Sequence, residues 1–299
     1  MAAKSKTLPI KVSNPNKVFW PDEGYTKLDL IIFYRDMFPS LRPYVNDRIL
    51  TLERCPDGML GQCFYQKQKP ASMPPGTPTK TIASESGSRK ETHYVVGGAL
   101  STQLVLANLG CIPVHVTGSR GTTYPKPDWV CLDIDPMSGK FADAANAGLI
   151  VKEVLDALDL ISFPKTSGSR GLHIFVPIRI GPTADEVLKF AEQLLARLAA
   201  SRPKELTVEH AIAARGSCVY LDAFRNGPVQ TVVSPYSVRR KPHAPVSTPL
   251  NWSEVKPTLD PSSFNLGNFL KHLKKKDPWA DFFKVRQNLR NAMERLKRI

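Results

Sequence analysis

The sequence predicts an α+β fold in which mixed or antiparallel sheets are flanked by helices. Three observations predict it. Short β-rich runs such as RILTLER (48–54), CIPVHV (111–116) and DWVCLDID (128–135) recur along the chain. Helical apolar stripes fall between some of them, without the regular strand–helix alternation of a doubly wound sheet. The composition, 42% hydrophobic and 23% charged over 299 residues, is that of a globular chain able to bury a real core.

Taken in order, the first helix spans residues 26–38, with Thr26 as its cap and Leu28, Ile31, Ile32 and Phe38 as its apolar stripe. Strands follow at 48–54 and 62–67. The Pro/Gly/Ser-rich stretch from Pro70 to Ser88 reads as a long loop or a broken hairpin, a kind of segment that is often functional. A helix over 98–110 ends on Gly110 and delivers the chain into the strand 111–116. After a basic turn comes the strand 128–135, then a helical stretch over 141–160. Residues 183–200 form the clearest amphipathic helix, and between these helices lie two strands around a Gly/Ser loop (162–178). LTVEH (206–210), CVYLDAF (218–224) and PVQTVV (228–233) complete the strand set. The chain is expected to be one domain over 1–299, with an N-terminal part (1–110), a core (111–250) and a basic helical tail (251–299).

Charge narrows the function. The net charge is +14, and a protein so basic commonly meets a polyanion, nucleic acid first and an anionic membrane surface second. Residues 271–299 hold ten Lys or Arg against three acids, half of that excess. Phe282, Val285, Leu289, Met293 and Leu296 give this tail a helical stripe, so it is expected to dock with a basic face outward, as a plain solvated face or as a wall of a phosphate-binding surface. The five cysteines (Cys55, Cys63, Cys111, Cys131, Cys218) lack zinc-knuckle spacing and read as buried thiols of a reducing compartment. The N-terminus has no apolar signal segment, and no apolar run approaches the roughly 20 residues of a membrane span. A cytoplasmic, membrane-free protein is expected.

CLDIDP (131–136) is the most informative segment. Side chains alternate along a strand, so Asp133 and Asp135 share one face, about 7 Å apart at Cα, and repel unless a cation lies between them. The apolar run WVCL before them and Pro136 after them place the pair at a strand end instead of in a surface turn. Hard oxygen ligands select Mg²⁺ or Mn²⁺. Asp222, at the end of CVYLD, is a third acid in a like setting, and three carboxylates could serve two divalent ions. Sequence alone leaves open whether Asp222 lies near the other two.

TSGSRGLH (166–173) is a tight turn whose backbone N–H groups, hydroxyls and Arg170 could cradle a triphosphate, or a plain hairpin turn. It lacks the Walker pattern. His173 opens the following apolar strand, where a histidine is commonly structural. PYSVRRKPHAPVS (235–247) gathers Arg239, Arg240, Lys241 and His243 on a proline-stiffened segment, either over phosphates or on an ordinary surface loop.

Seven ordered blocks then carry a resemblance: SNPNKVFWPDEGYTKLDLIIFY (13–34), LERCPDG (52–58), CFYQK (63–67), KPDWVCLDIDP (126–136), FPKTSGSRGLH (163–173), YLDAFRN (220–226) and PYSVRRKPHAPVSTPLNW (235–252). Together they resemble the polymerase domain of bacterial ligase D, of the archaeo-eukaryotic primase superfamily, which serves non-homologous end joining. The resemblance implies a primase-like core in which Asp133, Asp135 and Asp222 are catalytic metal ligands for two Mn²⁺ or Mg²⁺ ions. It implies that Ser167, Arg170 and His173 hold the incoming triphosphate, and that His115, Arg225, Arg239 and Lys241 belong to the nucleotide site. In the N-terminal, DNA-contacting part, Lys17 and Lys27 match lysines that grip a 5′-phosphate, and Phe64 and Tyr65 match rings stacked on template bases. Two departures stand out: Arg170 replaces a common Lys, and Val116 and Thr117 replace a common Pro-Trp. The blocks of the ligase and phosphoesterase modules are absent, which implies an excised domain or a stand-alone relative.

The implied activity is extension of a primer 3′-hydroxyl by NTPs or dNTPs at DNA breaks or short gaps carrying a 5′-phosphate. Implied partners are Ku and a separate DNA ligase, with the chain itself monomeric. Two rivals are a primase-like enzyme that starts strands unprimed and a non-catalytic DNA-end-binding module.

Overall fold

The computed structural model describes residues 8–83, 90–273 and 277–298. Along the chain run β1 (Val18–Trp20), β2 (Tyr25–Thr26), α1 (Lys27–Val45), β3 (Arg48–Arg54), β4 (Phe64–Gln66), β5 (Thr79–Ala83), β6 (Glu91–Val95), α2 (Leu100–Asn108) and β7 (Cys111–Arg120). They are followed by β8 (Trp129–Pro136), α3 (Phe141–Ala157), β9 (Phe163–Thr166), β10 (Leu172–Pro177), α4 (Ala184–Ser201), β11 (Leu206–Thr207), β12 (Val219–Asp222), β13 (Thr231–Val233), α5 (Phe269–His272) and α6 (Leu289–Leu296).

Two sheets organise these elements. One has the order β11-β12-β8-β10-β9, the other β13-β7-β3-β4, and two-stranded ribbons β1-β2 and β5-β6 stand apart. All pairings are antiparallel except β11 with β12, so the mixed α+β expectation holds. Alternation along β8 explains the layering. Leu132 and Ile134 join a core with α3, α4 and α6, whereas Trp129 and Cys131 join a second core with β3, β7 and α1. One face of the five-stranded sheet is therefore sealed by helices, and the other looks across at the four-stranded sheet.

Local signals set most boundaries. Thr26 and Asp29 form a capping box at the start of α1, as do Thr183 and Glu186 at α4. α1 runs seven residues beyond the expected Phe38, through Pro39 and Pro43. Burial of Leu41, Tyr44 and Val45 in the inter-sheet core offsets the lost helix hydrogen bonds. The 70–88 stretch is part loop and part hairpin, since β5 pairs with β6; its residues 84–88 lie outside the described residues.

Two expectations are corrected. Cys55 and Cys63 are disulfide-bonded, not free buried thiols, because the antiparallel β3–β4 turn brings their Cα atoms within 4.4 Å. Of the others, Cys111 and Cys131 are buried and Cys218 is partly exposed. The tail is not one long helix: only Leu289–Leu296, capped by Asn288, is an α-helix near the terminus. Phe282 and Trp279 stack at 4.9 Å in the inter-sheet core, while Leu289 and Leu296 pack in the helix-side core. A stripe serving two cores on opposite faces of a sheet cannot stay on one straight helix. Lys274, Lys275 and Lys276 lie outside the described residues. Among those described, no helix is long and apolar enough to cross a membrane.

Candidate active site

Strand register builds the floor of the site. Asp222 of β12 pairs with Asp133 of β8, and His173 of β10 pairs with the same Asp133 on its other side. Lys165 of β9 pairs with His173. Register partners share a face, so Asp222, Asp133, His173 and Lys165 form a row across four strands on the face away from the helices. Asp135, two residues beyond Asp133, continues that face to the strand end.

This row is electrostatically crowded. Burial opposes ionisation of Asp133, but His173 and Arg225 outweigh it and hold the carboxyl well below the ordinary range. His173 Nε2 stands 3.2 Å from Asp133 Oδ1, and Arg225 Nε stands 3.1 Å from Oδ2 and 3.6 Å from Asp222 Oδ2. Asp135 is exposed at the strand end, yet its carboxyl faces the crowded turn at Gly171; burial and the Asp133 charge push it up to about 6. Burial, with Asp133 adding to it, also raises Asp222. The Asp133 charge thus works against ionisation of both neighbouring acids, a repulsion that a bound cation would relieve.

The row fits a hard divalent cation. Buried Oδ1 of Asp133 has no aligned hydrogen-bond donor, and the ligand atoms the row offers a cation are carboxylate oxygens. Among the described residues no three His, Cys, Asp or Glu side chains close into a cage. Mg²⁺-type ions are commonly held by one or two carboxylates and completed by water and substrate phosphates.

The opposite wall comes from the four-stranded sheet and the 235–247 segment. His115, Tyr65, Arg239 and Lys241 line a cleft of about 270 Å³ with Asp133, Asp135, Ser167, His173 and Arg225. Most of the expected nucleotide-site residues therefore converge. Arg170 is the exception: it is exposed at the turn beside Gly139 and does not line the cleft. The turn itself differs from an open anion nest, because the N–H groups of Ser169 and Gly171 both donate to Ser167 Oγ, at 3.2 and 3.1 Å. Gly171 must be glycine, since a Cβ there would stand 2.6 Å from the Ile134 carbonyl. Gly171→Ala should push the turn off β8 and lower nucleotide addition by about 10²-fold, the cost of misplacing reacting groups by about 1 Å, as read by steady-state kinetics.

Two further groups were not singled out from the sequence. Glu53 is buried and joins His115 (3.3 Å), Arg240 (3.1 Å) and the Tyr65 hydroxyl (3.5 Å). Lys165 is fully buried; burial, helped by Arg239, brings it down to about 7. Its Nζ donates to Ser247 Oγ at 2.6 Å and to His173 Nδ1 at 3.0 Å. With Lys165 protonated, Nδ1 accepts and the His173 proton sits on Nε2, toward Asp133. Burial and Lys165 lower His173 to about 4.

Of the expected DNA-contacting residues, Tyr65 lines the cleft, whereas Lys17, Lys27 and Phe64 do not. The amide of Lys27 donates to the Lys17 carbonyl at 2.8 Å, which sets both lysines at the N-terminus of α1. Lys17 pairs with Asp57, and buried Lys27 donates to Ser13 Oγ at 3.1 Å and the Asn108 carbonyl at 3.3 Å. Phe64 and Tyr65 on β4 are 45% and 66% exposed, too open to be core rings. The basic helix α6 packs with α3 and α4, on the face of the sheet opposite the carboxylates, so it is not a wall of this cleft. Its Arg290 and Arg295 pair with Glu186 and Asp159.

Comparison with known proteins agrees with this geometry. A family model described as the LigD primase-polymerase domain matches residues 26–279. The chain is 28% identical over 301 residues to the multifunctional non-homologous end joining DNA repair protein LigD of Mycobacterium tuberculosis, covering 95% of this chain and 39% of that protein. It is 29% identical over 301 residues to the corresponding protein of Pseudomonas aeruginosa, covering 98% and 35% respectively. The chain thus spans well under half the length of these relatives. A solved structure of the polymerase domain from Mycobacterium tuberculosis ligase D in complex with DNA has a TM-score of 0.84 at 25% identity, covering 92% of this chain and 97% of that one. The chain belongs to the LigD primase-polymerase domain family, a family of nucleotidyltransferases.

Proposed function

We propose that this chain is a DNA repair polymerase that extends a primer 3′-hydroxyl with NTPs or dNTPs at breaks or short gaps bearing a 5′-phosphate. The observation that carries the reading is the register match that sets Asp222 beside Asp133, which itself lines, with Asp135, a cleft walled by cations. Asp133, Asp135 and Asp222 would hold two divalent ions, Mn²⁺ or Mg²⁺. When bound, such ions lower the pKa of an attacking hydroxyl and stabilise charge on the transferring phosphate. Arg225, Arg239 and Lys241 would bind the triphosphate by charge-assisted hydrogen bonds, and His173, donating from Nε2, would orient it over Asp133. Glu53 would fix the tilt of His115 and Tyr65.

On this reading Phe64 and Tyr65 stack on template bases, and Lys17 and Lys27 bind the 5′-phosphate at the α1 N-terminus, where backbone N–H groups also favour an anion. Support for DNA as partner comes from the DNA-bound relative and the net charge. Ku and a separate ligase would be partners in end joining, with the chain monomeric.

The test is extension of a gapped duplex with all eight ribo- and deoxyribonucleotides, in Mg²⁺ and in Mn²⁺. Addition of nucleotides to the primer is expected. Product on unprimed template would favour the primase-like alternative, and no product under any condition would favour a DNA-end-binding module. Lys17→Ala with Lys27→Ala should lower the preference for phosphorylated over unphosphorylated gaps by about tenfold, the value of one charge-assisted phosphate contact. An unchanged preference would remove these lysines from the phosphate site.

A further inference from the structure

A second cavity, of about 520 Å³, opens at the other end of β8 beside Asp128. It lies roughly 17 Å from Asp133 by strand rise, so it is separate from the carboxylate row. Three guanidiniums line it, from Arg120, Arg179 and Arg286, against the single acid Asp128. That acid has no charge to spare: Oδ1 takes Arg48 at 2.5 Å and Oδ2 takes Arg120 Nε at 2.8 Å. Neither Arg179 nor Arg286 has an acidic partner among the described residues, while nearby Lys284 and Arg290 have theirs.

The segments that carry these two arginines are pinned together. Ile178 bridges to Gln287, the Arg179 amide donates to the Gln287 carbonyl at 2.8 Å, and Arg179 Nε donates to the Arg286 carbonyl at 3.0 Å. Like charges lining one cavity are relieved by an anion between them. The rest of the lining is apolar, with Ile180 half exposed at the rim and Phe283 lying under the Arg120 guanidinium at 5.3 Å. The volume is that of a ligand pocket, not of a packing defect.

We propose that this cavity docks a short acidic segment of a partner protein. A carboxylate of that segment meets Arg179 and Arg286, and an adjacent apolar side chain covers Ile180 and Phe283. Charge complementarity selects the anion, and the apolar lining selects peptide over nucleic acid. A sugar–phosphate backbone would engage the guanidiniums but leave the apolar surface wet.

The probe is a fluorescein-labelled peptide alternating glutamate and leucine, with its lysine–leucine counterpart as control, read by fluorescence anisotropy on the full chain. The acidic peptide should bind and the basic one should not. Arg179→Glu with Arg286→Glu should weaken the acidic peptide at least about tenfold while changing gapped-DNA affinity by less than about twofold. Ile180→Asp, which keeps both arginines, should also weaken it. Absence of binding to the unaltered chain overturns the proposal, as does unchanged affinity in the charge-reversed variant. A tenfold loss of DNA affinity with peptide binding intact would assign the cavity to nucleic acid and overturn it equally.

Discussion

Asp133→Asn is expected to lower nucleotide addition to a primer by about 10³-fold or more, with the fold intact. The substitution keeps the shape of the side chain on β8 but removes the most strongly ionised carboxyl of the row. A metal-assisted phosphoryl transfer draws several kcal/mol from its ions, and each 1.36 kcal/mol is a factor of about ten in rate. Arg225 would lose one of its two carboxylate partners, so the variant should not be less stable through unpaired negative charge. Single-turnover extension of a gapped duplex, with circular dichroism as the fold control, reads the effect. Activity within about tenfold of the unaltered chain would mean that Asp133 holds no catalytic ion.

The largest effect on stability is expected from Arg48→Ala. Arg48 is fully buried between the two sheets, with its guanidinium 3.3 Å from the Trp129 ring centroid. It donates to the Gly118 carbonyl and pairs with Asp128 at 2.5 Å. Burial brings its pKa down to about 10, with Asp128 opposing, so it stays protonated at neutral pH. Its folded value is below the ordinary arginine value, so ionisation of this group makes stability pH-dependent only in the alkaline range, where stability rises with pH. Truncation leaves Asp128 with Arg120 alone and opens a cavity against Trp129. Removing one partner of a buried pair typically costs about 3–5 kcal/mol. Urea denaturation should show that loss, and a loss below about 1 kcal/mol would mean that Arg48 is not the tie between the sheets.

Legibility in the sequence followed the range of each interaction. The shared face of Asp133 and Asp135 was readable because strand alternation is local. The adjacency of Asp222 was not, because it depends on the register of β12 against β8, which no local pattern encodes; only the ordered family blocks tied them together. Glu53 looked like one polar residue in an alternating strand, and its partners His115 and Arg240 lie 62 and 187 residues away. Lys165 sat in a segment that reads as the edge of a turn, and nothing nearby in sequence announces that a lysine will be buried whole. The 282–296 stripe was real as apolar burial but wrong as one helix, since periodicity does not say which core each residue enters. The Cys55–Cys63 bond was missed because odd, scattered cysteines suggest thiols, and only the β3–β4 pairing makes those two neighbours.

The central claim is that the Asp222–Asp133 pair on adjoining strands is the metal-dependent nucleotidyl-transfer site. Asp222→Asn tests it most directly, because that residue was joined to the row by register and not by spacing. The measurement is single-nucleotide addition to a gapped duplex across a Mn²⁺ titration, with Mn²⁺ binding followed by electron paramagnetic resonance. The account predicts that Asp222→Asn weakens Mn²⁺ binding and lowers addition by about 10²-fold or more at every metal concentration. Mn²⁺ affinity and addition equal to those of the unaltered chain would contradict it.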